Sequence, residues 1–206
     1  MSANFEIARS GRAIHLLADG KLRLQLPLDT GGRYRALVAD AAMAQRLVAA
    51  LEIWPGTGVL PAGGGLLGAM TVAENFRLAL RYGAEDEAGG RVELEADLAV
   101  ALALCGIAPE QAIRLGRERP MDIERRQRWV LGFARWLMRP PELLVLDRAC
   151  SGLARRDVDA LIALQSIYHS RHPFRPVLFV DLDSHELPDL PGCRNTAFLA
   201  ESVETS

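Results

Sequence analysis

The sequence predicts an α/β fold with a β-rich N-terminal part, a helical insert and a parallel sheet core. Three observations carry this. The last third alternates apolar strands with a helix: Leu143–Leu146, then Ala154–His169, then Val177–Val180. Continuous apolar strands separated by a helix read as a parallel sheet covered on both faces. The middle third places apolar residues at helical spacing, and the first third breaks into short β-rich runs punctuated by turn residues.

In chain order, strands are expected at Phe5–Ile7, Ile14–Leu17, Leu22–Leu26 and Tyr34–Val38, with turns at Gly11, Asp19-Gly20 and Gly31-Gly32. From Ala39 to Ile53 alanine and leucine dominate. Met43, Leu47, Ala50 and Leu51 recur there at helical spacing, and Trp54-Pro55-Gly56 ends the helix. Helices follow over Val72–Tyr82, over Arg91–Cys105 with Leu94, Leu98 and Leu102 on one stripe, and over Asp122–Met138. Trp129, Phe133 and Trp136 form an aromatic stripe suited to packing. A last short strand is expected at Thr196–Leu199, and soft points at Arg81–Gly90 and beyond Ala200. The whole reads as a single domain over residues 1–206, with the helical part, about 72–138, inserted in the α/β core.

Composition narrows the function classes. Twenty-four basic against 26 acidic residues leave a net charge of -2, which exerts no global pull on nucleic acid or anionic lipid. The arginines at Arg114, Arg117, Arg119, Arg125, Arg126 and Arg128 are interleaved with Glu118, Asp122 and Glu124, so they read as a solvated face and not as a nucleic-acid interface. No apolar run reaches the ~18 residues of a membrane span, and Met1–Ser10 lacks a basic-then-apolar signal pattern. A cytosolic chain, or one docked on a membrane partner, is therefore expected. Cys105, Cys150 and Cys193 are too few and too far apart for a disulfide framework or a zinc site. The only lysine is Lys21, so any lysine-dependent mechanism must use that residue.

Several motifs then fall in a familiar order. Pro140-Pro141-Glu142-Leu143-Leu144-Val145-Leu146-Asp147, followed by Ser151-Gly152-Leu153, resembles the Walker B strand and the loop after it in ATP-binding-cassette (ABC) ATPases. Arg126-Gln127-Arg128 leading into Ala134-Arg135-Trp136-Leu137 resembles the helix after that family's signature motif. Gly64-Gly65-Leu66-Leu67 with Met70-Thr71-Val72-Ala73-Glu74-Asn75 resembles the segment on which such ATPases receive a membrane subunit. The likeness spans about residues 30 to 200 and implies a P-loop-NTPase-like ABC ATPase fold. The short helical block is most similar to importer-like and lipid-transport subunits, including those of MCE-type phospholipid systems.

The family's chemistry is missing motif by motif. A phosphate loop, G-x-x-x-x-G-K-[ST], wraps phosphate with glycine backbone and a lysine. The matching stretch has Ala39 and Ala44 at the glycines, Gln45 at the lysine, and Arg46 and Leu47 at the hydroxyl pair. Lys21 does not substitute, because His15 and Leu22 occupy the first glycine and hydroxyl positions of its register. A plain amphipathic helix packed on the sheet is the reading those alanines favour. Arg148 stands where the resemblance places a catalytic glutamate, and a guanidinium cannot serve as a general base. It is expected to pair with Asp147. The signature aligns with Met121 to Arg125, where Asp122, Ile123 and Glu124 replace a phosphate-facing serine and glycines. Asp122 is expected to cap the following helix and to repel phosphate. Ala62 replaces the Q-loop glutamine, Ala154 an aspartate, and Leu182 the switch histidine, while His185 lies displaced by three residues. Asp147 alone survives as a residual metal-binding position.

Gly63, Gly65 and Gly68 also match G-x-G-x-x-G, with Glu85 to Glu87 downstream. A dinucleotide fingerprint should follow a long buried strand, so a tight turn or docking loop is the preferred reading. The resemblance thus implies a catalytically degenerate nucleotide-binding-domain subunit of a membrane transporter, with lipid as the cargo that the likeness of the helical block suggests. No cofactor is expected, and no catalytic residue. Partners would be a membrane permease, received at Gly64, Leu66, Leu67 and Met70 beside the helical block, and a second ABC ATPase subunit in a homo- or heterodimer. The alternatives are a half-site ATPase that uses ATP and Mg²⁺ only beside an active partner, and a soluble scaffold outside transport.

Overall fold

The computed structural model describes residues 4–81, 98–150, 155–183 and 189–199, arranged in two compact units. Expectations on Tyr82, Glu85 to Glu87, Leu94, Ser151 to Leu153, Ala154 and His185 fall outside them.

The first unit comprises residues 1–62 and 140–206. Strands β1 (Phe5–Ser10), β2 (Ala13–Ala18) and β3 (Lys21–Pro27) form an antiparallel sheet. Gly11 and Gly20, at φ +59° and +72°, take the left-handed conformation its tight turns require. Lys21 starts β3 in the second hairpin, exposed and in no phosphate loop. Strands β4 (Gly32–Val38), β5 (Thr57–Pro61), β6 (Leu143–Asp147), β7 (Pro176–Leu182) and β8 (Cys193–Leu199) make a parallel sheet in the order β5-β6-β7-β4-β8. β6 is buried along its whole length and β7 all but its last residue, which is why both read as unbroken apolar runs. Helix α1 (Ala41–Ile53) shares one core with the two sheets. Met43, Leu47 and Leu51 meet Leu16, Leu24 and Leu26 from the small sheet and Val145, Leu178 and Val180 from the large one. The pleat sends Arg35, Leu144, Phe179 and Asp181 to the opposite face. Helix α6 spans Arg155–Arg171.

The second unit, residues 63–139, is helical: α2 (Val72–Arg81), α3 (Leu98–Leu104), α4 (Pro109–Arg117), a 3₁₀ turn at Pro120–Asp122, and α5 (Arg125–Met138). Thr71 and Glu74 form a reciprocal cap on α2: the Thr71 amide donates to Glu74 Oε2 at 2.7 Å, and the Glu74 amide donates to Thr71 Oγ1 at 3.3 Å. On α5, Trp129 and Phe133 stack with centroids 5.5 Å apart. No single described helix is long and apolar enough to cross a membrane.

Four sequence expectations change. β5 was not anticipated, because Gly58 and Pro61 dilute its pattern; Pro61 is tolerated at the end of an edge strand. α4 was missed although Pro109 sits at its first turn, a helix-start signal. α1 begins at Ala41 and not Ala39. α5 begins at Arg125 and not Asp122, because Pro120 opens a separate 3₁₀ turn that absorbs Asp122 and leaves Glu124 as the cap.

Candidate functional site

In the parallel sheet Val38 of β4 lies beside Leu182 of β7, Val180 of β7 beside Asp147 of β6, and Asp147 beside Pro61 of β5. The C-terminal ends of four strands therefore meet at one edge, the edge where open α/β sheets take ligands. Ala62, Asp147, Arg148, Leu182 and the β4–α1 turn all lie there. What each side chain does at that edge decides whether a nucleotide can be held.

The turn between β4 and α1 consists of Ala39 and Asp40 alone. Ala44, Gln45, Arg46 and Leu47 lie inside the helix, so the residues aligned with a phosphate loop form no loop. Gln45 is exposed on α1, whereas Leu47 is fully buried in the core and cannot face a metal. The N-terminus of α1 is an anion site by its free N–H groups and dipole. Asp40 occupies it: its Oδ1 accepts the Met43 amide at 2.7 Å, with the extended backbone of an N-cap. Sequence reading overlooked this residue, although an aspartate directly before an apolar-periodic run is a helix-start signal.

At the end of β6, Arg148 turns back on its neighbour. Its Nε donates to Asp147 Oδ1 at 2.8 Å and its Nη2 to Oδ2 at 3.0 Å, a bidentate pair that engages both carboxylate oxygens. Asp147 is 7% exposed, and its carboxylate raises the guanidinium above its ordinary value through the hydrogen bond. Arg148 holds a left-handed backbone, φ +49°, and its amide donates to Val180 O at 2.7 Å, anchoring the turn to β7. Leu182 is partly buried against the core and Ala62 is partly buried at its turn. Among the described residues no group of acidic, histidine or cysteine side chains is placed to hold a metal ion.

One strand position back, a second pair lies fully inside. Arg35 Nε donates to Asp181 Oδ2 at 3.1 Å, and the Cys150 amide donates to Asp181 Oδ1 at 3.3 Å. Burial pushes the Asp181 carboxyl above its ordinary range despite Arg35, and pushes the Cys150 thiol up as well. Both Arg35 and Asp181 were invisible as a pair in the sequence, lying 146 residues apart.

In the helical unit, Asp122 is exposed in the 3₁₀ turn, Ile123 is buried and Glu124 is exposed. Glu124, not Asp122, closes the N-terminus of α5, in a capping box with Gln127, whose Oε1 accepts the Glu124 amide at 3.3 Å. A carboxylate again stands at a helix N-terminus.

The loop expected to receive a partner is built from within. Asn75, 3% exposed, accepts the Leu67 amide at 2.6 Å on Oδ1 and donates through Nδ2 to Leu67 O and Thr71 O at 3.1 and 3.0 Å. Gly64, at φ +90°, lies against α5 so closely that a Cβ would overlap the Arg128 carbonyl. Gly64 is therefore a packing residue, Leu66 and Met70 are partly buried, and Leu67 is 50% exposed. The third glycine-motif reading, a dinucleotide fingerprint, has no helix N-terminus immediately after it: Gly63, Gly65 and Gly68 sit in turns ahead of α2. A cavity of about 390 Å³ opens beside α2, lined by Val72, Phe76, Leu102, Ile113 and Leu131 among others, but by none of Gly64, Leu66, Leu67 or Met70.

Neither a protein-family model nor a curated protein matches the chain. Solved structures do. One is a dimeric post-hydrolysis state of the ATP-binding cassette MJ0796 bound to ADP and Pi, 13% identical over 87% of this chain and 85% of that one, TM-score 0.58. Another is cbiO1 from Clostridium perfringens, part of the ABC transporter complex cbiONQ, 12% identical over 88% and 78%, TM-score 0.59. At such identity the likeness establishes the fold alone. The chain has the α/β fold of ATP-binding-cassette ATPases, with a parallel sheet core and antiparallel N-terminal strands.

Proposed function

We propose that this chain is a catalytically degenerate nucleotide-binding-domain subunit of a membrane transporter, structural or regulatory in role, peripheral on the cytoplasmic face. The observation that carries the reading is the two-residue turn Ala39-Asp40, which leaves no loop to wrap a phosphate and puts a carboxylate on the helix N-terminus instead. Arg148 on Asp147 and the Glu124 cap on α5 act in the same direction. At the matching positions the chain carries no lysine, glutamate or switch histidine, the groups that would neutralise a γ-phosphate and deprotonate water there. What remains useful is the fold as a docking body. The partner is a permease that lays a helix against the helical unit, and the chain pairs with another cassette subunit as the dimeric MJ0796 does. Lipid is the cargo suggested by the short helical block.

The test is calorimetric titration of the purified chain with Mg-ATP, together with turnover by the assembled transporter carrying Asp147→Ala. Binding weaker than ~1 mM, about 4 kcal/mol, and unchanged turnover are expected. Tight binding, or turnover lost on Asp147→Ala, overturns the reading.

A further inference from the structure

The cavity of about 390 Å³ beside α2 lies within the ~300–1,000 Å³ range of sites that take small molecules. Val72, Phe76, Leu102 and Leu131, all buried, form its floor, and Ile113, 63% exposed, stands at its mouth. The space stays open because Ala73, Ala112 and Gly116 present no bulky side chain there; a Cβ at Gly116 would lie 3.6 Å from that of Ala73, in ordinary contact. Among the described residues, the charged groups that line the cavity are Arg77 of α2 and Arg117 of α4, which share its rim and are both exposed. Neither guanidinium makes a hydrogen bond or ion pair with a described residue. The acid one turn before Arg77, Glu74, accepts instead from the Thr71 amide and hydroxyl at 2.7 and 3.0 Å.

We infer that this cavity binds a single-chain anionic amphiphile, an alkyl carboxylate whose chain lies on Phe76, Leu102 and Leu131 and whose head group meets Arg77 and Arg117 at the rim. An uncharged chain gains the apolar contact and leaves both guanidiniums without a partner. A small anion without a chain meets only exposed cations, whose attraction water and salt screen. One molecule satisfies both features when its charge sits at one end of an apolar chain, because no other polar group then has to be desolvated on the floor. A carboxylate suits the rim because its two oxygens match the planar fork of a guanidinium. The inference is independent of the transporter role proposed above: a chain that docks on no membrane subunit would still bind the amphiphile.

The test is calorimetric titration of the full chain with hexanoate, octanoate and decanoate, and with octanol and octyltrimethylammonium as the neutral and cationic counterparts of octanoate. Affinity is expected to rise by up to about fourfold per added methylene, the gain from burying each CH₂. Octanoate should bind about tenfold tighter than octanol at low salt, with octyltrimethylammonium weakest, and the difference should shrink at ~1 M salt, where the Debye length is about 3 Å. Arg77→Gln with Arg117→Gln, both at exposed positions where folding is not at stake, should remove the preference for octanoate over octanol and keep the rise with chain length. Ala112→Phe, which fills the cavity and leaves both arginines in place, should weaken all five probes. Equal affinity for octanoate, octanol and octyltrimethylammonium overturns the anionic specificity, and a preference for octanoate that survives the double arginine variant overturns the site. Affinity that does not change with chain length, or binding of none of the probes, overturns the inference altogether.

Discussion

Arg148 grips the carboxylate of Asp147, its immediate neighbour in the chain, through Nε and Nη2 at 2.8 and 3.0 Å. Adjacent residues in a strand point to opposite faces, so this contact needs the left-handed turn that the chain makes at Arg148. The cost of a non-glycine residue there, about 1–2 kcal/mol, is offset by the bidentate pair and the amide bond to Val180.

Arg148→Ala is expected to destabilise the chain by about 1–3 kcal/mol by leaving a nearly buried carboxylate unpaired, and a double-mutant cycle with Asp147→Asn should show coupling of at least ~0.5 kcal/mol. Urea denaturation measures both. Zero coupling would mean the pair is only geometric.

Asp40→Ala should cost about 1 kcal/mol, a fall of ~2–4 °C in Tm for a chain of this size, because the Met43 amide loses its acceptor. Gln45→Lys, alone or with Asp40→Ala, should not create a Mg-ATP-dependent thermal shift, since position 45 is exposed on α1 and no loop precedes it.

Leu47→Ala should be far more damaging, about 2–5 kcal/mol, as it empties a fully buried site in the core beneath the parallel sheet. Equal effects at positions 45 and 47 in denaturant melts would contradict the placement of α1.

His169 is partly buried, and desolvation, with Arg33 and Arg194 nearby, holds it below its ordinary value of 6.5. In the folded chain it stays neutral while the unfolded chain binds a proton, so stability is present above pH 6.5 and is lost as pH falls through the lowered folded value. Asp181, raised by burial, acts with the opposite sign above its ordinary 3.8. The expected signature is therefore a difference between wild type and His169→Gln that grows as urea midpoints are taken from pH 7.5 to pH 5.

Asn75→Ala should release the loop ahead of α2. Its amide side chain is the partner of Leu67 N and O, so the Leu67 amide should exchange with deuterium at least about tenfold faster, with about 1–3 kcal/mol lost overall.

Much of the architecture was legible in residues. Short runs between turn residues marked β2 and β3, unbroken apolar runs marked β6 and β7, and alanine-rich helical spacing marked α1. Local signals failed where they competed. Asp122 was expected to cap the following helix, but Pro120 draws it into a 3₁₀ turn, and Gly58 and Pro61 masked β5.

By itself the sequence determined which chemical groups are present: no lysine near the β4–α1 turn, arginine after Asp147, acids at the start of α5. These follow from residue identity and need no coordinates. Only the tertiary structure decided how those groups are used. Asp40, Arg148 and Glu124 each satisfy a charge or a helix end that would otherwise await a ligand, and Arg35 reaches Asp181 across 146 residues of chain. Arg77 and Arg117 share a rim for the same reason: helices that are distant in sequence are packed at Ala73 and Gly116. Contacts of that range depend on the packing of a sheet or a helix pair, and packing is a property of the folded chain, which no local window of sequence contains.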